Sequence, residues 1–322
     1  MLTFARIGAP PLARIGAAAR LRAELPPWTN VYGLARTLLA LATAGTLTAS
    51  PVDALFDPYG PACQGVSSLG LFCLVPEEQL GLTRGAAVAV LVVVASGWRP
   101  RLTALPHWWL TFGFQVSTVV PDGGDQIASV VTLLLLPVAL NDRRRWHWHA
   151  SAPSGEAPGP VASLVAWSAV LVIRLQVAGL YFQASVSKLG REEWADGTAL
   201  YYWLSDPMFG APSWMSGILG PVLRDPLGVT VLTWGPLVVE FAVAMGLIVR
   251  RRAWPYLLAS GVVLHCCIAA LMGLTSFAVT MIACLILHLR PVELPFAAPY
   301  RPAAWRPRGS WGAMGPKAAG VS

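Results

Sequence analysis

Long apolar runs alternate with short polar stretches along this chain. The runs fall at about 32–49, 83–98, 103–120, 126–140, 161–187, 228–249, 254–273 and 275–289. A helix that crosses a bilayer needs about 20 apolar residues, within a range of roughly 17–25. These runs are apolar all round, whereas a helix on a soluble core is apolar along one stripe. The pattern predicts an all-α, multipass transmembrane helical bundle of about eight spans. Two polar connections, 50–82 and 188–227, are long for a compact membrane domain. The stretch 150–160, ASAPSGEAPGP, reads as a flexible linker. The bundle is expected over 28–290, after a polar segment 1–27 and before a disordered tail 291–322 rich in Pro, Ala and Arg.

Composition narrows the class. Hydrophobic residues make up 55% of the 322 positions and charged residues only 12%, about half the charge of a typical soluble domain. That excludes a soluble enzyme, a disordered chain and a nucleic-acid-binding protein, although the net charge is +7. The bases sit in short clusters between apolar runs, and such clusters mark the cytoplasmic side. With both termini cytoplasmic, 17 Lys and Arg fall in inner segments and three (Lys188, Arg191, Arg224) in outer ones. The chain is therefore expected in a cell membrane, surrounded by lipid, with 50–82 and 188–227 outside. No cleavable signal peptide is evident.

The five cysteines form no CxxC pair and no zinc pattern, so no metal site is expected. Cys63 and Cys73 share an outer loop, where oxidation persists, and are expected to form a disulfide.

Ionisable side chains inside a span are costly and face the protein interior or a wet cavity. Arg174 and Glu240 fall near the middle of consecutive spans and are expected to pair. His265 lies near mid-depth in the seventh run and is expected to hydrogen-bond a neighbour. In the fifth run Arg174, Ala178, Tyr181, Ser185 and Lys188 recur at helical spacing on one face. Gln176, Gln183 and Ser187 form a second polar stripe. This helix is expected to line a cavity opening outward, with Lys188 at its mouth. Tyr181, Gln183, Ser185 and Trp194 are the expected lining, joined by Asp125 and Gln126 from the start of the fourth span. A lysine beside apolar surface can serve as a base or nucleophile; it can equally end a span by snorkelling. The segment 187–210 is the densest outer stretch in charge and aromatics, and Trp194, Tyr201, Tyr202 and Trp203 are expected at the membrane interface.

Several stretches resemble known proteins. Lys188-Leu189, Glu192-Glu193, Trp194 and Gly197 resemble the signature of the HTTM domain, which vitamin K-dependent gamma-carboxylases share with many bacterial proteins. WTNVYGLARTLLA (28–40), the Cys63–Cys73 loop, GWRPRLTALPHWW (97–109), DGGDQIASVVTLLLLPVALNDRR (122–144) and EWADGTALYYWLSDPMFG (193–210) resemble the sporulation-delaying protein B family. That likeness implies a multipass membrane protein that works with an A-type partner protein to mature a secreted peptide toxin. The carboxylase likeness implies that Lys188 is a base and brings in a quinone as the candidate cofactor. Ser187 stands where the carboxylases have a second lysine, and Gln126 where they have a histidine. Glutamate carboxylation is therefore not carried over. Three readings follow: a component of peptide-toxin maturation, a quinone-dependent enzyme of carboxylase or epoxidase type, and a transporter or immunity protein. The absence of a repeat and of matched broken helices weighs against transport.

Overall fold

The computed structural model describes residues 25–56, 60–119, 122–149, 158–207 and 210–296. Most of the segment 1–27, the linker 150–160 and the tail 291–322 lie outside the described residues.

Eight long helices stand where the apolar runs lie: α1 (Asn30–Ala49), α2 (Leu80–Ser96), α3 (Pro100–Ser117), α4 (Gly123–Leu140), α5 (Pro160–Leu189), α6 (Pro226–Ala244), α7 (Trp254–Met272) and α8 (Thr275–Leu289). By length and composition five of them, α2, α4, α5, α6 and α7, are long and apolar enough to cross a membrane, while α8 is a shorter apolar helix. α1 and α3 carry buried polar groups, including Arg36 and His107, that lower their hydropathy. The expectation of about eight spans thus corresponds to eight helices, five of which meet the length and apolarity needed. Among the described residues the one pairing of extended backbone is an isolated bridge between Trp98 and Trp146. The protein is an all-α membrane helical bundle.

Local chemistry sets the boundaries. The Thr29 side chain caps α1 by accepting from the Val31 amide, Asp122 caps α4 through the Asp125 amide, and Asp225 caps α6 through the Gly228 amide. α2 stops at Gly97, whose φ of 87° is left-handed, and α3 restarts with Pro100 in its first turn. Between them Arg99 holds φ 36°, the one positive φ outside glycine among the described residues. Its amide donates to the Arg145 carbonyl at 2.8 Å.

α8 runs through the centre and packs on α1, α4, α5 and α7. It is buried from Ala283 to Leu289 without a break, so 15 residues suffice for an element that other helices surround. Lipid is as apolar as leucine, so close packing and hydrogen bonds hold such helices together. A second apolar cluster joins α1, α2 and α3 to the loop before α2, with Phe72 packed between Phe56, tilted at 5.0 Å, and Phe114, edge to face at 6.3 Å. Within that loop a disulfide joins Cys63 to Cys73, with a Cα–Cα distance of 5.5 Å.

The other end of the bundle is sealed. Trp28 Nε1 donates to the Val138 carbonyl at 2.7 Å, Thr29 Oγ1 to the Val292 carbonyl at 2.5 Å and Trp167 Nε1 to the Leu25 carbonyl at 2.8 Å. Arg144 grips Asp142 through Nε at 2.9 Å and Nη2 at 2.7 Å, and also reaches the His149 carbonyl. Their side chains are 0% and 1% exposed.

Candidate functional site

The opposite end is open. A cavity of about 710 Å³ is lined by Ser187, Lys188, Arg191, Glu193, Trp194, Ala199, Tyr202 and Trp203. α5 supplies its floor and the segment after α5 its walls. Here α5 ends at Leu189, a short helix runs over Glu192–Ala195 and another over Ala199–Ser205. Asp196 ties the turn between them by accepting from the Thr198 amide at 2.9 Å and the Thr198 hydroxyl at 2.6 Å. The second short helix docks on α6, where the Leu200 amide donates to Thr233 Oγ1 at 3.1 Å.

Lys188 is the chemical centre of this end. Its Nζ lies 2.5 Å from Glu240 Oε1, and 5.1 Å from the centre of the Trp194 ring. Lys188 is therefore held between a carboxylate from α6 and an aromatic face from the loop. Helix geometry explains the meeting. Cα–Cβ bonds tilt toward a helix's N-terminus. α5 and α6 run antiparallel, with Phe182 against Phe241 and Ser185 Oγ donating to the Leu237 carbonyl at 3.1 Å. The lysine thus leans back along α5 into the bundle, while Glu240 leans toward it. Snorkelling would carry the ammonium the other way. The lysine side chain is 27% exposed and the glutamate 10%, so the lysine is the member that a molecule in the cavity meets.

Two turns deeper than Lys188, Tyr181 bonds its hydroxyl to His265 Nε2 at 2.7 Å, and the His265 ring packs on Phe277 at 5.6 Å. Both side chains are buried. The polar face of α5 is thus a single inward stripe: Tyr181 meets α7, and Ser185 and Lys188 meet α6.

Two expectations are corrected. Arg174 and Glu240 do not pair. Glu240 takes Lys188, whereas Arg174 donates from Nε to the His288 carbonyl at 3.1 Å and lies 4.4 Å over the Trp254 ring. The reason is length. α5 has 30 residues, about 45 Å at 1.5 Å per residue, far more than its neighbours, so its midpoint meets the ends of α7 and α8 and not their centres. The expected cavity lining is also redrawn. Trp194 lines the cavity with Lys188, but Tyr181 and Ser185 are sealed by their partners and Gln183 is on the exposed side of α5. Asp125 is buried in the first turn of α4 beside the Asp122 cap. Gln126 faces a different pocket, of about 200 Å³, shared with Gln176, Leu180 and Cys284. Arg191, Glu193, Tyr202 and Trp203 complete the lining; the density of charge and aromatics in 187–210 was the signal for them.

Comparison with known proteins follows the same lines. The HTTM domain family matches residues 154–292, the part that carries α5 to α8 and the cavity. The chain is 38% identical over 277 residues to the Bacillus subtilis (strain 168) protein YitO, covering 84% of this chain and 88% of that one. It is 35% identical over 271 residues to Sporulation-delaying protein SdpB of the same organism, covering 83% of each. No solved structure matches it.

Proposed function

We propose, for a chain that belongs to the sporulation-delaying protein B family of HTTM membrane proteins, that it is an integral-membrane component of a peptide-toxin maturation system. It acts at the outer membrane face, on a secreted peptide precursor and with an A-type partner protein. The observation that supports this reading best is the Lys188–Glu240 pair in the wall of an open cavity. The distribution of bases, 17 against three, supports an outer position for that cavity.

The pair suits proton transfer. It holds one proton between Nζ and Oε1 and is neutral as a unit. A proton taken from a molecule in the cavity leaves both members protonated and the pair with a single positive charge, which then faces the anion just formed. A positioned base with a compensating charge of this kind lowers the barrier to deprotonation. Trp194, Tyr202 and Trp203 offer flat apolar surface to the rest of the bound molecule. The same three rings beside Lys188 also fit a quinone ring and its oxygen, which supports a quinone-linked step as the second reading. Bound there, a quinone would supply two-electron redox chemistry.

The test is reconstitution in cells that carry the precursor and the partner. Mature peptide, followed by mass spectrometry, should appear with this chain and be absent without it. Equal amounts in both strains would overturn the proposal. Tyr202→Cys should react with a membrane-impermeant maleimide added to intact cells, and Arg143→Cys should not; the reverse pattern would invert the assignment of faces. Co-purification of a quinone that is lost in Trp203→Ala would favour the second reading.

A further inference from the structure

Three of the stretches that carry the family resemblance converge far from Lys188, at the sealed end. Tyr32, Gly33, Arg36 and Thr37 come from 28–40, Gly97, Thr103 and His107 from 97–109, and Asp142 and Arg144 from 122–144. His147 follows directly. These residues form one buried cluster. Arg36 Nη2 donates to Thr103 Oγ1 at 2.8 Å, and the Tyr32 and His147 rings meet edge to face at 6.4 Å. The His147 ring sits so close to α1 and to the end of α2 that a Cβ at Gly33 would come within 2.9 Å of it and one at Gly97 within 2.4 Å.

The charges do not balance. Arg144 is neutralised by two hydrogen bonds to Asp142. Arg36 is 1% exposed and takes part in none of the ion pairs among the described residues. His147 adds no charge. Thr37 gives its hydroxyl proton to the Ala95 carbonyl, so it accepts from His147 Nε2, which leaves Nδ1 a bare acceptor. Burial, then the charges of Arg36 and Arg144, push the imidazole down to about 3. One positive charge thus remains in a place where an unpaired charge is costly.

Four polar atoms of the cluster, one of them on the charged group itself, have no hydrogen-bond partner: Arg36 Nη1, Tyr32 OH, His107 Nε2 and His147 Nδ1. Their residues are between 0% and 2% exposed. Arg36 Nη1 and the tyrosine hydroxyl are donors, and His107 Nε2 is one whenever it carries the ring proton. We infer that this cluster is a binding site for a small monovalent anion of halide size, held by Arg36 Nη1, the Tyr32 hydroxyl and His107. The burial rules out a peptide carboxylate or a lipid headgroup as the occupant. A dianion would overshoot a single positive charge and is harder to dehydrate. A halide with one water of its shell would satisfy all four: the ion would take the donors, and the water would donate to His147 Nδ1. The site would fasten α1 to α3 and to the 141–149 loop.

The experiment is thermal unfolding of the purified full chain in detergent, with sodium chloride or bromide exchanged for gluconate at constant ionic strength. An ion that binds only the folded state should raise the Tm by about 3 °C for each tenfold increase above its Kd. Tyr32→Phe, which removes one donor to the anion, should move the midpoint of the halide titration up about tenfold. Arg36→Gln should give a flat titration; if that variant does not fold, Tyr32→Phe and His107→Gln decide the matter. Equal Tm in chloride and gluconate for the wild type would overturn the proposal. So would an unshifted halide midpoint in both Tyr32→Phe and His107→Gln, because the ion would then be acting elsewhere.

Discussion

The bundle carries an opposite-charge pair at each end, and the two are built for different work. Arg144 and Asp142 are joined by two hydrogen bonds, are at most 1% exposed, and lie among Trp28, Thr29 and the 141–149 loop. Lys188 and Glu240 share one contact at 2.5 Å, and the lysine opens onto a cavity. The planar guanidinium suits the first place, because it fixes two oxygens at once and cannot release its proton. The ammonium suits the second, because it is a compact charge that can exchange one. With the proposed function, the difference teaches that a charge in a membrane protein can serve as a fastener or as a reagent. Fork geometry and access distinguish the two.

The largest expected effect is at the fastener. Asp142→Asn should leave Arg144 buried and unpaired and cost about 3–5 kcal/mol in an unfolding titration. Asp142→Asn combined with Arg144→Met should cost less than the sum of the two single variants. A small cost for Asp142→Asn would break the comparison, by showing that this end is not sealed. The disulfide comes next. Cys63→Ser opens a loop with a sequence separation of 10 and should cost about 3 kcal/mol on the chain-entropy account, read as a fall in the oxidised protein's Tm toward that of the reduced wild type. The Lys188–Glu240 pair should be worth less. A double-mutant cycle of Lys188→Met and Glu240→Gln should give a coupling of about 1 kcal/mol, near the upper end for pairs that reach solvent. A coupling as large as that of Arg144 with Asp142 would make this pair a fastener too.

A pH dependence tests the sealed end by a separate route. His147 titrates at about 3 in the folded chain, below the usual 6.5 of an unfolded histidine. Between those values the unfolded chain binds the extra proton, so the stabilisation is present above pH 6.5 and fades as pH falls toward 3. The slope of Tm against pH over pH 4–6.5 should be positive and should flatten in His147→Gln. An unchanged slope would remove the histidine from the neutral, buried role given to it.

Much of this was legible in the sequence, and the failures have physical causes. The apolar runs located all eight long helices, because lipid demands apolarity over most of a span. Helical spacing put Tyr181, Ser185 and Lys188 on one face, and they share it. Spacing does not tell whether a polar stripe lines a cavity or packs against another helix, so Tyr181 and Ser185 were placed in an opening that their partners in fact close. Glu240 was visible as a buried acid but its partner was not. Helix offset decides that choice, and α5 extends well past its neighbours. The sealed end was the least legible part. Tyr32, Arg36, Thr103, His107 and His147 lie up to 115 residues apart, and no local pattern joins them.

The central claim is that Lys188 exchanges a proton in the cavity while Glu240 compensates. Arginine at position 188 keeps the positive charge and a partner for Glu240 but does not give up its proton. The direct measurement is therefore the yield of mature peptide from cells that carry Lys188→Arg, with the membrane level of the protein matched to wild type. The account predicts that maturation is lost. Normal maturation by Lys188→Arg would show that position 188 needs only a fixed charge, and the proton-transfer role would fall.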